Sequence, residues 1–398
     1  MDAFYASVEA HDRPELAGRP LIVGGATHRG VVAAASYEVR RYGVHSAMPM
    51  REALTRCPQA VVVAPRMSRY REVSDQVFAV FAEFTPVIEG LSLDEAYLDV
   101  TASQSLLGTP LAMARAIKSR VRAQTGLPCS VGVSHNKLLA KIASDLEKPD
   151  GLCAIAPDQV RARLDPLPVR RLHGVGAKTA ARLEARGIDT LGALRTAPDA
   201  ALWAVFGRHA PLLRARAAGE DDRPVIAHWK EQQVSSEETF DRDLTAPAEL
   251  DGALAALADR ASIRLRARGL VAGHVTVKIR RADYSTLTRG QAITPPCQDS
   301  GVCYSIARRL LWQWRTEEPT AAVRLLGVSL GALAPASQID LFAVAESGAR
   351  HSPDRAGVRL DPVLDDIRSR YGADAVCRAS HLDTPAVKQD GFTEVRRR

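Results

Sequence analysis

The sequence predicts a multidomain α/β protein in which a mixed α/β unit, an all-helical segment and a βαββαβ unit follow one another. Three observations predict it. The chain has 398 residues, whereas a single core stops growing near about 250 to 300. Up to about residue 158, short apolar runs ended by glycines alternate with stretches of helical period. Residues 160–218 keep only helical spacing, and residues 232–330 then read strand, helix, strand, strand, helix, strand.

Element by element, residues 4–10 read as a helix and 21–25 as a buried strand stopped by Gly24-Gly25. Residues 31–35 form a second strand, Pro49 opens a helix through Arg56, and 61–63 form a third strand. Val73, Val77, Val80, Phe81 and Phe84 mark an amphipathic helix over 68–84 that ends before Pro86. Strands at 87–88 and 96–100 flank a tight turn, Gly90-Leu91-Ser92-Leu93-Asp94-Glu95. A basic helix over 110–125, a strand at 130–133 and a helix over 137–146 with its lysines outward complete the first unit. The helical segment breaks at Gly174, Gly187 and Gly207, and residues 219–230, charged around Pro224, read as a linker. In the last unit Leu250, Leu254, Leu257, Ala261 and Leu265 share a helix face, two strands meet around 282–288, and a helix over 302–315 precedes a strand at 323–330. The tail after Leu333 reads as loosely ordered apart from a helix at 363–370.

Lys and Arg number 53 against 46 Asp and Glu, giving a net charge of +7 and a pI near 9.2. An anionic partner is compatible with this balance, although many basic proteins bind no nucleic acid. The six cysteines are scattered without a C-x-x-C pair, which argues against zinc and against a secreted disulfide framework. With no signal-like N-terminus and no apolar run near the ~20 residues that span a bilayer, the expectation is a soluble, cytoplasmic protein without membrane contact.

Asp94-Glu95 is the first chemical feature. A turn relaxes the opposite-face alternation of a strand, so adjacent carboxylates there can share metal ions. Alone, the pair reads as a solvated turn, because acidic residues are common in turns. Its surroundings change that reading. Ser92-Leu93-Asp94-Glu95-Ala96-Tyr97-Leu98-Asp99 is similar to the palm motif of the Y-family DNA polymerases, the low-fidelity template-directed enzymes that copy past damaged bases. Met1-Asp2-Ala3-Phe4-Tyr5-Ala6-Ser7-Val8-Glu9 resembles that family's N-terminal motif, Ser36-Tyr37-Glu38-Val39-Arg40 its fingers motif, and Asn136-Lys137 through Lys148-Pro149 its palm lysine motif. The likeness covers residues 1–333 with the motifs in family order.

The resemblance implies a right-hand polymerase: palm at 1–10 and 67–158, small fingers at 11–66, helical thumb at 159–220, linker at 221–231, βαββαβ little finger at 232–333 and a tail at 334–398. It implies a monomer that adds dNTPs to a primer-template DNA using two Mg²⁺ ions, which take hard oxygen ligands. Asp94 and Glu95 then bind metal, with the Met1 backbone carbonyl beside the second ion. Tyr37, Arg40 and Lys148 match the triphosphate contacts, and Tyr5 stands at the sugar-discriminating position. Singly, Arg40 and Lys148 read as surface cations, and Tyr37 and Tyr5 as packing residues.

The family carries an Asp immediately before the residue matching Met1, and Asp2 matches a different position. The chain therefore shows two metal carboxylates where the family uses three. The expectation is a native product that starts upstream; the rival is a catalytically inactive accessory that binds DNA or a clamp.

Leu172-His173-Gly174-Val175-Gly176-Ala177-Lys178 resembles a helix-hairpin-helix, in which glycines let backbone N–H groups approach a phosphate and Lys178 adds charge. Without context it reads as an αα turn, and a repair glycosylase or nuclease is the rival class it permits. Val275, Val277 and Ile279 alternate with Thr276, Lys278 and Arg280, so one sheet face packs on helices and the other is basic, with Arg280, Arg281 and Arg289 along DNA. A solvated sheet face is the simpler alternative. Gln338-Ile339-Asp340-Leu341-Phe342 is similar to the bacterial sliding-clamp peptide, an amide anchor followed by groove-filling apolar side chains.

Overall fold

A computed structural model describes residues 1–25, 29–336, 355–372 and 375–376. The chain forms two compact units, Met1–Trp229 and Lys230–Arg398.

The first unit opens with α1 (Phe4–Asp12), which buries Phe4, Ala6, Val8 and Glu9. Then come β1 (Leu21–Gly24), β2 (Val32–Ala35), α2 (Tyr37–Arg40), α3 (Met50–Arg56) and β3 (Val61–Val63). Their sheet has the order β2-β1-β3, with β1 antiparallel to β2 and parallel to β3. Ile22, Val39, Met50 and Ala53 seal α2 and α3 onto it. In α4 (Met67–Ala82), Tyr70 and Val73 pack with α1, while Val77, Val80 and Phe81 share a core with Ile117 and Val121. The hairpin β4 (Ile88–Gly90) and β5 (Ala96–Leu98) pairs Glu89 with Tyr97. After a single turn, α5 (Gln104–Leu107), comes α6 (Pro110–Thr125), opened by Thr109 and Pro110.

Next, β6 (Val131–Val133) and β7 (Leu152–Ala154) pair in parallel around α7 (Lys137–Leu146). The Asn136 side chain caps α7 by accepting from Leu139 N at 2.9 Å. Only glycine fits where β6 meets it: a Cβ at Gly132 would lie 2.0 Å from Ala140 O and 2.3 Å from Ser144 N. Leu138, Leu139 and Ile142 join a core with the helices α8 (Val160–Leu164), α9 (Ala177–Glu184), α10 (Leu191–Thr196), α11 (Asp199–Phe206) and α12 (Ala210–Ala217).

The length of α7 agrees with the sequence reading, but its lysines do not all face outward. Lys137 is 6% exposed and donates to Glu89 Oε2 at 2.6 Å, with Tyr97 beneath it at 5.2 Å. The reason is tertiary: Glu89, 3% exposed on β4, needs a cation, and the first turn of α7 supplies one. The charged segment after α12 completes this clasp. Pro224 O accepts from Lys137 Nζ at 3.1 Å, Ile226 N donates to Glu89 Oε2 at 2.9 Å, and Asp221 Oδ2 accepts from Leu138 N at 3.1 Å.

The second unit contains β8 (Gln233–Leu244), α13 (Pro247–Ala267), β9 (Leu270–Arg281), β10 (Thr286–Cys297), α14 (Ser300–Glu317) and β11 (Val323–Pro335). The expected βαββαβ order closes into an antiparallel sheet β10-β9-β11-β8. Val275, Val277 and Ile279 are fully buried in one core with Leu254, Leu257 and Trp314, as their alternation predicts. The tail departs from expectation: α15 (Arg355–Tyr371) is longer and docked. Arg266 on α13 binds Asp361 at 3.0 Å and Asp365 at 2.6 Å, and Arg368 binds Asp259 at 3.0 Å. Pairings across about a hundred residues leave no local sequence signal. Among the described residues, no helix is long and apolar enough to cross a membrane.

Lys137→Met leaves the Glu89 carboxylate buried without its cation, so it is expected to cost about 3–5 kcal/mol in equilibrium denaturation. Gly132→Ala is expected to lower the midpoint as well, because backbone atoms on α7 cannot yield to a Cβ.

Candidate active site

A cleft of about 1430 Å³ in the first unit is lined by Met1, Asp94, Glu95, Lys141, Ser144 and Lys148 among others. The hairpin tip that enters it is tied internally. Leu91 N donates to Glu95 O at 2.8 Å, Ser92 Oγ to Asp94 Oδ1 at 2.9 Å, and Ser74 Oγ on α4 to Leu93 O at 2.5 Å. Asp94 and Glu95 are thereby held side by side with their carboxylates at the cleft, 27% and 37% exposed. Each already faces a cation. The Met1 ammonium lies 3.7 Å from Asp94 Oδ2 and donates to Asp94 O at 2.8 Å, and Lys141 Nζ lies 2.5 Å from Glu95 Oε1. Burial opposes the charge on Lys141, but Glu95 and Asp145 outweigh it and raise the ammonium pKa.

Tyr5 reaches the same region from α1. Its ring stacks on Tyr70 at 4.3 Å and 12°, and its phenol is pushed up by burial and then by Asp94. Tyr70 Oη in turn donates to the fully buried Glu9 at 2.6 Å, and Glu9 also accepts from Arg66 at 2.9 Å and from Arg13. Burial alone would raise the Glu9 pKa; these donors bring it below the usual carboxylate range. Ahead of α1, Ala3 sits in the left-handed region at φ 47°. Asp2 holds that turn, accepting from Ser130 Oγ at 2.9 Å and Asp150 N at 2.8 Å. Its carboxylate is thus spent on structure.

Tyr37 starts α2, and the Arg40 guanidinium lies 4.5 Å over its ring while Arg40 Nε donates to Ala35 O at 3.0 Å. The Tyr37 hydroxyl is shielded from solvent and, among the described residues, has no hydrogen-bond partner of good geometry. Burial raises its pKa, Asp2 adds to the effect, and Arg40 opposes it. Asp145, whose Oδ1 lies 2.6 Å from Lys148 Nζ, contributes in the same direction as Asp2. Met1, Asp94, Glu95 and Lys148 therefore line one cleft, and Tyr5 feels Asp94, whereas Tyr5, Tyr37 and Arg40 are not among the residues that line it.

The donor set suits a hard divalent cation: two carboxylates and the Met1 carbonyl oxygen, with positive charge already drawn to both carboxylates. Among the described residues no cluster of three His, Cys, Asp or Glu side chains forms a metal site. Two carboxylates meet the need of one ion that keeps phosphate and water ligands; the third carboxylate that the resemblance implies for a two-ion site is not in this sequence.

Elsewhere in the first unit, Gly174 adopts φ +99° and Gly176 is the N-cap of α9, leaving Lys178 in its exposed first turn. Residues 157–188 match the IMS family HHH motif, residues 1–145 the impB/mucB/samB family, and residues 231–341 that family's C-terminal domain. DNA polymerase IV of Halorhodospira halophila is 46% identical over 86% of this chain and 96% of its own length. For DNA polymerase IV of Alkalilimnicola ehrlichii the identity is 47%, over 84% and 93%. The chain belongs to the Y-family DNA polymerases, in the DNA polymerase IV group. A Y-family chimera of Dbh and Dpo4 superposes with a TM-score of 0.75 at 28% identity, covering 84% of this chain and 97% of that one. An insertion ternary complex of Dbh polymerase gives 0.60, also at 28%, over 83% and 96%.

This polymerase is accordingly a DNA-directed DNA polymerase of translesion synthesis with the right-hand fold expected for the family. Nothing in these likenesses favours the inactive accessory, and the glycosylase reading falls with the family assignment. In the second unit of the polymerase, Lys278 pairs with Glu237 at 2.7 Å, Arg281 with Glu318 at 2.5 Å and Arg289 with Glu317 at 3.3 Å, while Arg280 donates to Thr286. Gln338, Ile339, Asp340, Leu341 and Phe342 lie outside the described residues. Sequence reasoning missed Lys141 and Asp145. Their signal was present, since Lys141 and Asp145 follow at i and i+4 on one face of α7 and Lys148 comes just past its end.

The network that seats α1 has an acid limit. The Arg69 hydrogen bond, against opposing burial and with help from Arg66, holds the Asp12 carboxyl at about 2. A carboxyl depressed in the folded state stabilises above its unfolded pKa of about 4 and loses that contribution as pH falls through its folded value. Asp12→Asn is expected to flatten the loss of stability between about pH 4 and 2 in urea titrations, relative to the unaltered chain.

Proposed function

We propose that Asp94 and Glu95, with the Met1 carbonyl, hold two Mg²⁺ ions for dNMP transfer to a primer 3′-hydroxyl. The observation that carries this reading is the paired presentation of the two carboxylates at the cleft, with the Lys141 ammonium at Glu95. When bound, such ions lower the pKa of the attacking hydroxyl and neutralise the departing pyrophosphate.

The chain's own residues orient the reactants. Tyr37 offers a phenol already stripped of water, Arg40 a guanidinium fixed through Ala35 O, and Lys148 an ammonium, all suited to triphosphate oxygens. Tyr5, immobilised against Tyr70, forms a hard floor beneath the incoming sugar and excludes a 2′-hydroxyl by contact. Residues 1–10 and 67–158 serve as palm, 11–66 as fingers, 159–220 as thumb and 232–333 as little finger. The Gly174-Val175-Gly176 turn with Lys178 grips the DNA backbone, while Lys278, Arg281 and Arg289 exchange their carboxylate partners, and Arg280 its Thr286 hydroxyl, for phosphates. Residues 338–342 bind the sliding clamp, and the polymerase works as a cytoplasmic monomer.

Primer extension with Mg²⁺ tests the site. Asp94→Ala is expected to reduce extension by about a thousandfold or more, the scale of losing a transition-state charge stabiliser; activity near the unaltered level would refute the assignment. Tyr5→Ala is expected to raise ribonucleotide insertion by about tenfold or more, and unchanged sugar selectivity would remove Tyr5 from this role. Gln338→Ala with Phe342→Ala is expected to abolish stimulation by the clamp while basal extension persists.

A further inference from the structure

Four charges of alternating sign run from the hairpin tip along α7 and just past its end. Lys141 Nζ is 2.5 Å from Glu95 Oε1 and 3.9 Å from Asp145 Oδ2, and Asp145 Oδ1 is 2.6 Å from Lys148 Nζ. Lys141 and Asp145 are one helical turn apart on a helix anchored by Gly132 and by the Lys137–Glu89 pair, so their backbones are fixed. Only side chains are free to exchange partners. None of the four is more than 37% exposed, so water screens them only in part.

The ends of this series have opposite fates when substrate arrives. Lys148 is held by Asp145 and must turn to a triphosphate; Glu95 is held by Lys141 and must turn to a cation. Triphosphate oxygens at Lys148 leave Asp145 without its nearest cation. Lys141, already 3.9 Å away, is the ammonium placed to replace it, and moving toward Asp145 draws Lys141 off Glu95.

We infer that Lys141 and Asp145 are positioning residues that couple the two halves of the site, so that engagement of a triphosphate by Lys148 releases Glu95 for metal binding. The inference rests on the roles proposed above for Glu95 and Lys148. By reciprocity, neutralising Glu95 must ease triphosphate binding at Lys148, and that half needs no metal.

The test is calorimetric titration of the full chain with inorganic triphosphate in EDTA. Glu95→Gln removes direct repulsion in every background, and with the ladder intact it also frees Lys141 to compete for Asp145. Its gain in affinity is therefore expected to be about threefold or more larger in the otherwise unaltered chain than in Asp145→Asn. Lys141→Met, which breaks the same ladder at another rung, is expected to shrink the gain equally and guards against a folding defect in one variant. Lys148→Met is expected to weaken binding throughout. An equal gain from Glu95→Gln in all three backgrounds, with Lys148→Met still weakening binding, would overturn the coupling and leave the site intact. Lys148→Met without effect would overturn the triphosphate role itself, and the coupling with it.

Discussion

The ion pair between Lys137 and Glu89 is the constraint on which the active site depends. Both side chains are almost entirely removed from water, a cost of several kcal/mol per ion that close geometry and further hydrogen bonds must offset. Glu89 gains a second donor from Ile226 N, and Lys137 gains Pro224 O and the face of Tyr97. Glu89 and Tyr97 are cross-strand partners, so one contact fixes both strands of the hairpin against the first turn of α7. Glu95 lies two residues before Tyr97, and Lys141 one turn after Lys137. Once the clasp closes, their meeting at 2.5 Å follows from backbone geometry.

A second buried acid seats α1 in the same way. Glu9 on α1 is satisfied by Arg66, Tyr70 and Arg13, which locks α1 to α4. Tyr70 does two things at once: its hydroxyl satisfies Glu9 and its ring stacks under Tyr5. An apolar contact would bury the helix as well, but it would tolerate sliding. A carboxylate with three directed donors accepts one register only, and the sugar-gate role proposed for Tyr5 needs its ring held to a fraction of an ångström.

Three of the four cations proposed to face DNA in the second unit are presented in paired form. Lys278, Arg281 and Arg289 each face a Glu, so phosphate would replace an existing partner in place of water. Surface pairs of this kind contribute little to stability, which makes such exchange inexpensive. The docked α15 differs, because Arg266 and Asp361 are buried and hold the helix on the core of that unit.

By itself the sequence determined the elements and their order. The period of Val73, Val77 and Val80, the alternation of Val275, Val277 and Ile279, and the glycine-stopped strand at 21–25 are local consequences of burying one face. It also determined the chemistry available, since Asp94-Glu95, Tyr37, Arg40 and Lys148 stand in motifs whose order is recognisable. Tertiary structure alone decided which charges meet. Lys137 reads as a surface lysine until a buried Glu89 appears opposite it, and the tail reads as loose until Arg266 finds Asp361. The physical reason is range: helical and strand periods are written within a few residues, whereas the pairing of a buried charge depends on which segment the fold brings within about 3 Å of it.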